Sequence, residues 1–143
     1  MHEYTVEFRI LGKDLVPAVI TNELGLEPGQ IRNIGERRDS NTRWEEALWA
    51  YDGYPGSSSD RTWDSLENGL RFVLDKLWPV KDKIESYKRR YRLILWCGHF
   101  YSSFNGGPTL SPGLLRLLGE FGVELFIDNH AYEKDASDTA HDS

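Results

Sequence analysis

The run from Tyr91 to Tyr101 carries apolar side chains on both of its faces, Leu93 and Leu95 on one and Ile94 and Trp96 on the other. Successive residues of an extended strand point to opposite sides of a sheet. A strand that is apolar on both sides must be covered on both, so this run predicts a central strand rather than an edge. A second strand stands at the start of the chain, where Tyr4, Val6, Phe8 and Ile10 alternate with Thr5, Glu7, Arg9 and Leu11. That alternation predicts a half-buried strand with one wet face.

Helices are punctuated between these strands. Pro17 sits at a helix start, where its fixed φ and missing donor cost nothing. Val19, Ile20 and Leu24 form the apolar side of that helix, and Gly25 and Pro28 end it. A short strand is expected near Ile31 to Ile34, and another from Trp44 to Tyr51 with Ala47, Trp49 and Tyr51 on one face. Residues 52–60 read as a loop. Thr62 is the expected N-cap of the longest helix, with Asp64 and Glu67 near its positive end. Trp63, Leu66, Leu70, Val73, Leu74 and Leu77 would then lie on one face of it. Pro79 interrupts, and a shorter helix follows with Val80, Ile84 and Tyr87. Ser111 and Pro112 open a further helix that Gly122 closes, and Val123 to Ile127 predicts the last strand.

The segment Leu15-Val16-Pro17-Ala18-Val19-Ile20 matches Leu110-Ser111-Pro112-Gly113-Leu114-Leu115 in residue type, and each follows a strand. Both lead to a glycine, an aliphatic residue and a glutamate: Gly25-Leu26-Glu27 and Gly122-Val123-Glu124. Two such halves predict an α+β fold of the ferredoxin-like sandwich type, a mostly antiparallel sheet with helices packed on one face. Pro-start and Gly-stop are also common helix punctuation, which accounts for part of the likeness. The length of 143 residues suits one domain. Residues 1–130 are expected to form it, and residues 131–143 a disordered acidic tail. Aromatic residues make up 13% of the chain, enough for a substantial core, which excludes wholesale disorder.

The order of these features resembles a bacterial family known as domain of unknown function 4279. The residues that carry the likeness are Asp14-Leu15-Val16-Pro17, Leu24-Gly25-Leu26-Glu27-Pro28, Gly35, Trp44, Leu48-Trp49, Leu74 through Pro79, and the segment from Tyr101-Ser102 to Leu110-Ser111-Pro112. The resemblance extends to about residue 130. It implies a small α/β domain and carries no activity, so no catalytic residue follows from it.

The formal net charge of −6 argues against general nucleic-acid binding, which needs a positive surface to displace counterions. Cys97 is the only cysteine, so no intrachain disulfide forms. With no signal-like start and no apolar run of membrane-spanning length, the chain reads as cytoplasmic, with no membrane partner. The foremost candidate site is the polar stretch holding Arg32, Arg37, Arg38 and Arg43, with Gly35 among them and Trp44 beside them. Guanidinium forks suit phosphates and carboxylates, and Trp44 offers a stacking surface for a base or sugar. The plainer alternative pairs those arginines with Glu36, Asp39, Glu45 and Glu46 on a solvated loop. Lys88-Arg89-Arg90-Tyr91-Arg92 reads as cationic capping of a helix end more readily than as a nucleic-acid contact. Cys97 and His99 share a strand face, but nothing nearby completes a nucleophilic site. The four histidines are scattered, so no metal ligand set is expected, nor any cofactor. Tyr54, Tyr101 and Phe104, in or beside loops, are candidate contact aromatics.

These features predict a non-catalytic binding module engaging another protein, in an immunity-type or regulatory role, with an acidic surface set against a basic partner. The alternative is a sensor that holds an anionic metabolite or nucleotide on the arginine loop. A third reading is an enzyme using Cys97 and His99. An exposed sheet edge would also allow a homodimer.

Overall fold

The computed structural model describes residues 1–55 and 61–132. Along the chain lie β1 (His2–Gly12), α1 (Pro17–Leu24), β2 (Gln30–Arg32), β3 (Ala47–Tyr51), α2 (Leu66–Leu77), a 3-10 turn (Trp78–Val80), α3 (Lys81–Tyr87), β4 (Arg92–Tyr101), α4 (Pro112–Phe121) and β5 (Glu124–Ala131). The strands form one sheet in the order β2-β3-β1-β4-β5. β1 is antiparallel to both β3 and β4, β2 is antiparallel to β3, and β5 runs parallel to β4. The fold is therefore α+β with a mostly antiparallel five-stranded sheet. The strands flanking α1, β1 and β2, run parallel with β3 between them, whereas those flanking α4, β4 and β5, are parallel immediate neighbours. That mixed order does not confirm the ferredoxin-like sandwich, in which each half's two strands lie parallel with a strand between them: the β4–β5 half has no strand between.

The doubly apolar run does lie inside the sheet, one place from its middle. Its odd residues join the main core: Leu93, Leu95 and Cys97 face the same side as Phe8, Ile10 and Trp49. Helices cover that side through Ile20 and Leu24, then Leu66, Leu70, Val73, Leu74 and Leu77, then Ile84 and Tyr87, then Leu114 and Phe121. Phe8 sits at the centre, fully buried, edge-on to both Trp49 and Phe121. Ile94, Leu48 and Ala50 are also buried, yet they belong to the opposite side and stand outside that cluster.

Local punctuation fixed most helix ends. Gly25 and Gly122 take the left-handed conformation, with φ of 67° and 72°, and their N–H groups return to Thr21 and Leu118. Ser111 caps α4 by accepting from the Leu114 N–H. Thr62, however, is not the cap of α2. Trp63 exchanges backbone hydrogen bonds with Tyr4, N–H to O at 2.7 Å and O to N–H at 2.9 Å, which holds residues 62–63 extended. The helix starts later, at Leu66, and Ser65 caps it by accepting from the Asn68 N–H. Trp63 thus lies off the helical stripe it was expected to join. Val19 is half exposed rather than buried, and the last strand is Glu124–Ala131 rather than Val123–Ile127. The expected loop lies outside the described residues over 56–60, as does the expected tail from 133 on.

Candidate functional site

Because side chains alternate, every core-facing residue of the sheet leaves its neighbour on a face no helix covers. Arg9, Ala50 and Gln30 line up across β1, β3 and β2 on that face. Leu11, Leu48 and Arg32 form the adjoining row. On the other side of β1, Glu7, Trp96 and Phe126 stand in line. The face is therefore a field of charges and rings.

Arg32 projects from the short edge strand β2 and lies over the Trp44 ring, its guanidinium carbon 3.6 Å from the ring centroid. Arg38 reaches the same ring at 4.7 Å. The chain between them folds back, with Gly35 and Glu36 hydrogen-bonded to Trp44, and Arg38 to Thr42. Gly35 takes a φ of 84°, a conformation glycine reaches without strain. Asp39 pins the tip by accepting from the Asn41 and Thr42 N–H groups, which lowers its carboxyl pKa. The outcome is an ordered cleft of about 450 Å³ lined by Lys13, Arg32, Arg38, Thr42, Arg43, Trp44, Glu45 and Glu46.

The charge in this cleft is not internally neutralised. Neither Arg32 nor Arg38 forms an ion pair among the described residues, and Arg43 donates to the Gly35 carbonyl rather than to a carboxylate. The expected pairings with Glu36, Asp39, Glu45 and Glu46 do not form: Glu36 accepts from Asn33, and Asp39 serves the turn. Arg32 Nε is buried with no acceptor. Burial, then the nearby Arg9 and Arg38 charges, lower the Arg32 pKa, against smaller opposing effects of Glu7 and Glu46. Stacked guanidiniums that no carboxylate engages are matched to an oxyanion.

Arg32, Arg38, Arg43 and Trp44 thus come together. Arg37 does not line the cleft, although its backbone bridges to that of Arg43. Arg32 and Arg38 both lie over the Trp44 ring, which holds those arginines in place. The remaining aromatics lie elsewhere. Tyr54 packs edge-on against Trp63 and donates its hydroxyl to the Thr62 carbonyl, a structural post. Tyr101 lies among His2, His99 and Phe104, and only Phe104, 92% exposed, is free of packing on most sides. Sequence reading passed over Lys13 and Arg9. Arg9 sits 4.2 Å above the Trp96 ring and pairs with Glu7. Its place on the wet side of the first strand was the available signal.

Cys97 is fully buried, and burial pushes its thiol up to about 12, away from the thiolate a nucleophile needs. Both ring nitrogens of His99 are engaged, Nε2 with His2 Nδ1 and Nδ1 with the Asn129 side chain, each at 2.8 Å. Neither is left to activate the thiol. Among the described residues no group of three or more His, Cys, Asp or Glu is placed to hold a metal ion, and no helix is long and apolar enough to cross a membrane.

A family model described as a domain of unknown function (DUF4279) matches residues 2–132, nearly the whole chain. No curated protein and no solved structure matches.

Proposed function

The chain belongs to the DUF4279 family, and from that premise we propose a non-catalytic binding module that takes an anionic group, a phosphate or a carboxylate, in the Arg32–Arg38–Trp44 cleft. The observation that carries this reading is the pair of arginines stacked on one tryptophan with no carboxylate partner among the described residues. Lys13 and Arg43 add charge at the rim, while Glu45 and Glu46 limit how much anion the cleft accepts. A cytoplasmic setting fits a chain whose one cysteine is a buried free thiol. Engagement of a basic protein partner is the second reading; it rests on the net charge of −6 and the exposed Phe104 ring, and it would use a different surface.

Titration calorimetry at low salt tests the anion reading, with inorganic pyrophosphate and citrate as probes. Saturable heat is expected from at least one probe, with affinity falling at least tenfold in Arg32→Met and in Arg38→Gln. Absence of heat from both probes, or equal binding by both variants, defeats it.

A further inference from the structure

The two edges of the sheet are built differently. β2 is three residues long, a blunt edge, whereas β5 presents Glu124–Ala131 with no strand on its outer side among the described residues. Long edges expose unpaired N–H and C=O groups, and soluble proteins usually blunt them with lysine, proline or a bulge. The sequence ELFIDNHA of β5 contains neither lysine nor proline. Its two carboxylates do not stand as unpaired repulsive charges either. Glu124 pairs with Arg92 at 2.9 Å, and Asp128 with His130 at 2.9 Å. Beside them Phe126 remains 42% exposed although Trp96 packs on it, with ring centroids 4.6 Å apart.

We propose that this edge pairs antiparallel with β5 of a second copy, joining two five-stranded sheets into one across a two-fold axis. The register follows from geometry. A two-fold perpendicular to the sheet keeps each face on its own side, so paired residues must share a face and the axis must pass through a residue opposite itself. Only axes at Ile127 and Asp128 give near-complete overlap of Glu124–Ala131. An axis at Asp128 sets that carboxylate directly against its own copy, which is destabilising. With the axis at Ile127, Ile127 meets Ile127, Leu125 meets Asn129, and Glu124 of each chain faces His130 of the other. On the helix-free face Glu124, paired with Arg92, then stands opposite the second copy's His130, and Phe126 opposite the second copy's Asp128. The exposed side of Phe126 is covered by the neighbouring strand.

Sedimentation equilibrium of the full chain over a range of concentrations, together with site-specific oxidation, tests this pairing. A dimer is expected. In a Cys97→Ala background, Ile127→Cys should give a disulfide-linked dimer. Leu125→Cys and Asn129→Cys should cross-link when mixed but not alone. Glu124→Lys should raise the dimer dissociation constant at least tenfold, and adding His130→Glu should restore it by placing a carboxylate opposite the new lysine. Circular dichroism of each variant confirms that it is folded. A monomer at every concentration overturns the proposal. So does a dimer that cross-links through neither arrangement, or one that forms only after residues 133–143 are removed, which would mean that the chain's own tail occupies the edge.

Discussion

The two faces of one sheet are built from the same five strands but obey different chemistry. On the helix-covered face Phe8, Ile10, Trp49, Leu93 and Leu95 are sealed under four helices, with essentially no exposed surface on Phe8 or Trp49. On the other face Arg9 lies on Trp96, and Arg32 and Arg38 lie on Trp44. Leu48, Ala50 and Ile94 are nonetheless buried there. Their neighbours across the strands are Arg32, Arg9 and Gln30, whose long stems shield apolar surface while their heads stay polar. One face spends its side chains on stability. The other keeps fixed cations that contribute little to folding, which is where a binding role is most economically placed.

The sharpest way to break this division is to truncate an aromatic on each side. Phe8→Ala empties a site between Trp49 and Phe121 and should cost about 3–5 kcal/mol. Phe126→Ala, on a ring 42% exposed that packs on Trp96, should cost clearly less, about 1–2 kcal/mol in the monomer at low concentration. Urea unfolding midpoints at one protein concentration measure both. Equal losses would show that the helix-free face is a second core.

Gly98 tests how tightly the open face is nevertheless packed. A Cβ there would lie 2.5 Å from Thr5 Oγ1 and 2.9 Å from the Phe100 ring. Gly98→Ala should therefore destabilise by about 1–3 kcal/mol, the range for overpacking. Thr5→Ala in the same chain should recover part of that loss, because it removes the nearer obstacle. A double-mutant cycle reads the coupling, and simple additivity would mean that the strand shifts to accommodate the methyl group.

What could be read from sequence follows the range of the forces involved. Pro17, Gly25, Ser111, Pro112 and Gly122 act on their own neighbours, and each stands where it was expected. The doubly apolar Leu93–Trp96 run disclosed an interior strand for the same reason. The strand order was not legible, since the pairing of β1 with β3 and the parallel pairing of β4 with β5 are settled between distant segments. The arginine cluster was half legible. Arg32, Arg38 and Arg43 are close in sequence, but the approach of Arg9 needs β1 and β3 to be neighbours, and Lys13 joins only because the turn after β1 lies beside residues 42–46. The start of α2 shows the same limit. Thr62 has the chemistry of a cap, and a backbone pairing of Trp63 with distant Tyr4 removed it from that role.

That last displacement gives a smaller, cleaner test. Ser65→Ala deprives the Asn68 N–H of its acceptor and should cost about 1 kcal/mol, the usual worth of an N-cap. Thr62→Ala should cost less than about 0.5 kcal/mol, as an ordinary surface change does, because among the described residues it is the Thr62 carbonyl, not the side chain, that is used, by the Tyr54 hydroxyl. Thermal unfolding of the two variants side by side ranks them. A larger loss from Thr62 would place the helix start back where the sequence alone suggested.

The smallest effect on stability is expected where the functional consequence is greatest. Arg32→Met keeps an apolar stem against Leu48 and Trp44 while deleting a guanidinium that has no ion pair among the described residues and is opposed by Arg9 and Arg38. Loss of the stacking on Trp44 is worth about 0.5–1 kcal/mol at an exposed site, and relief of the unmatched, partly buried charge acts in the other direction. The two should nearly cancel, leaving the ligand-free variant within about 0.5 kcal/mol of the parent in urea unfolding. A loss above about 2 kcal/mol would make Arg32 a structural residue of the helix-free face, and the contrast between the two faces would then fail at the very residue on which the anion site depends.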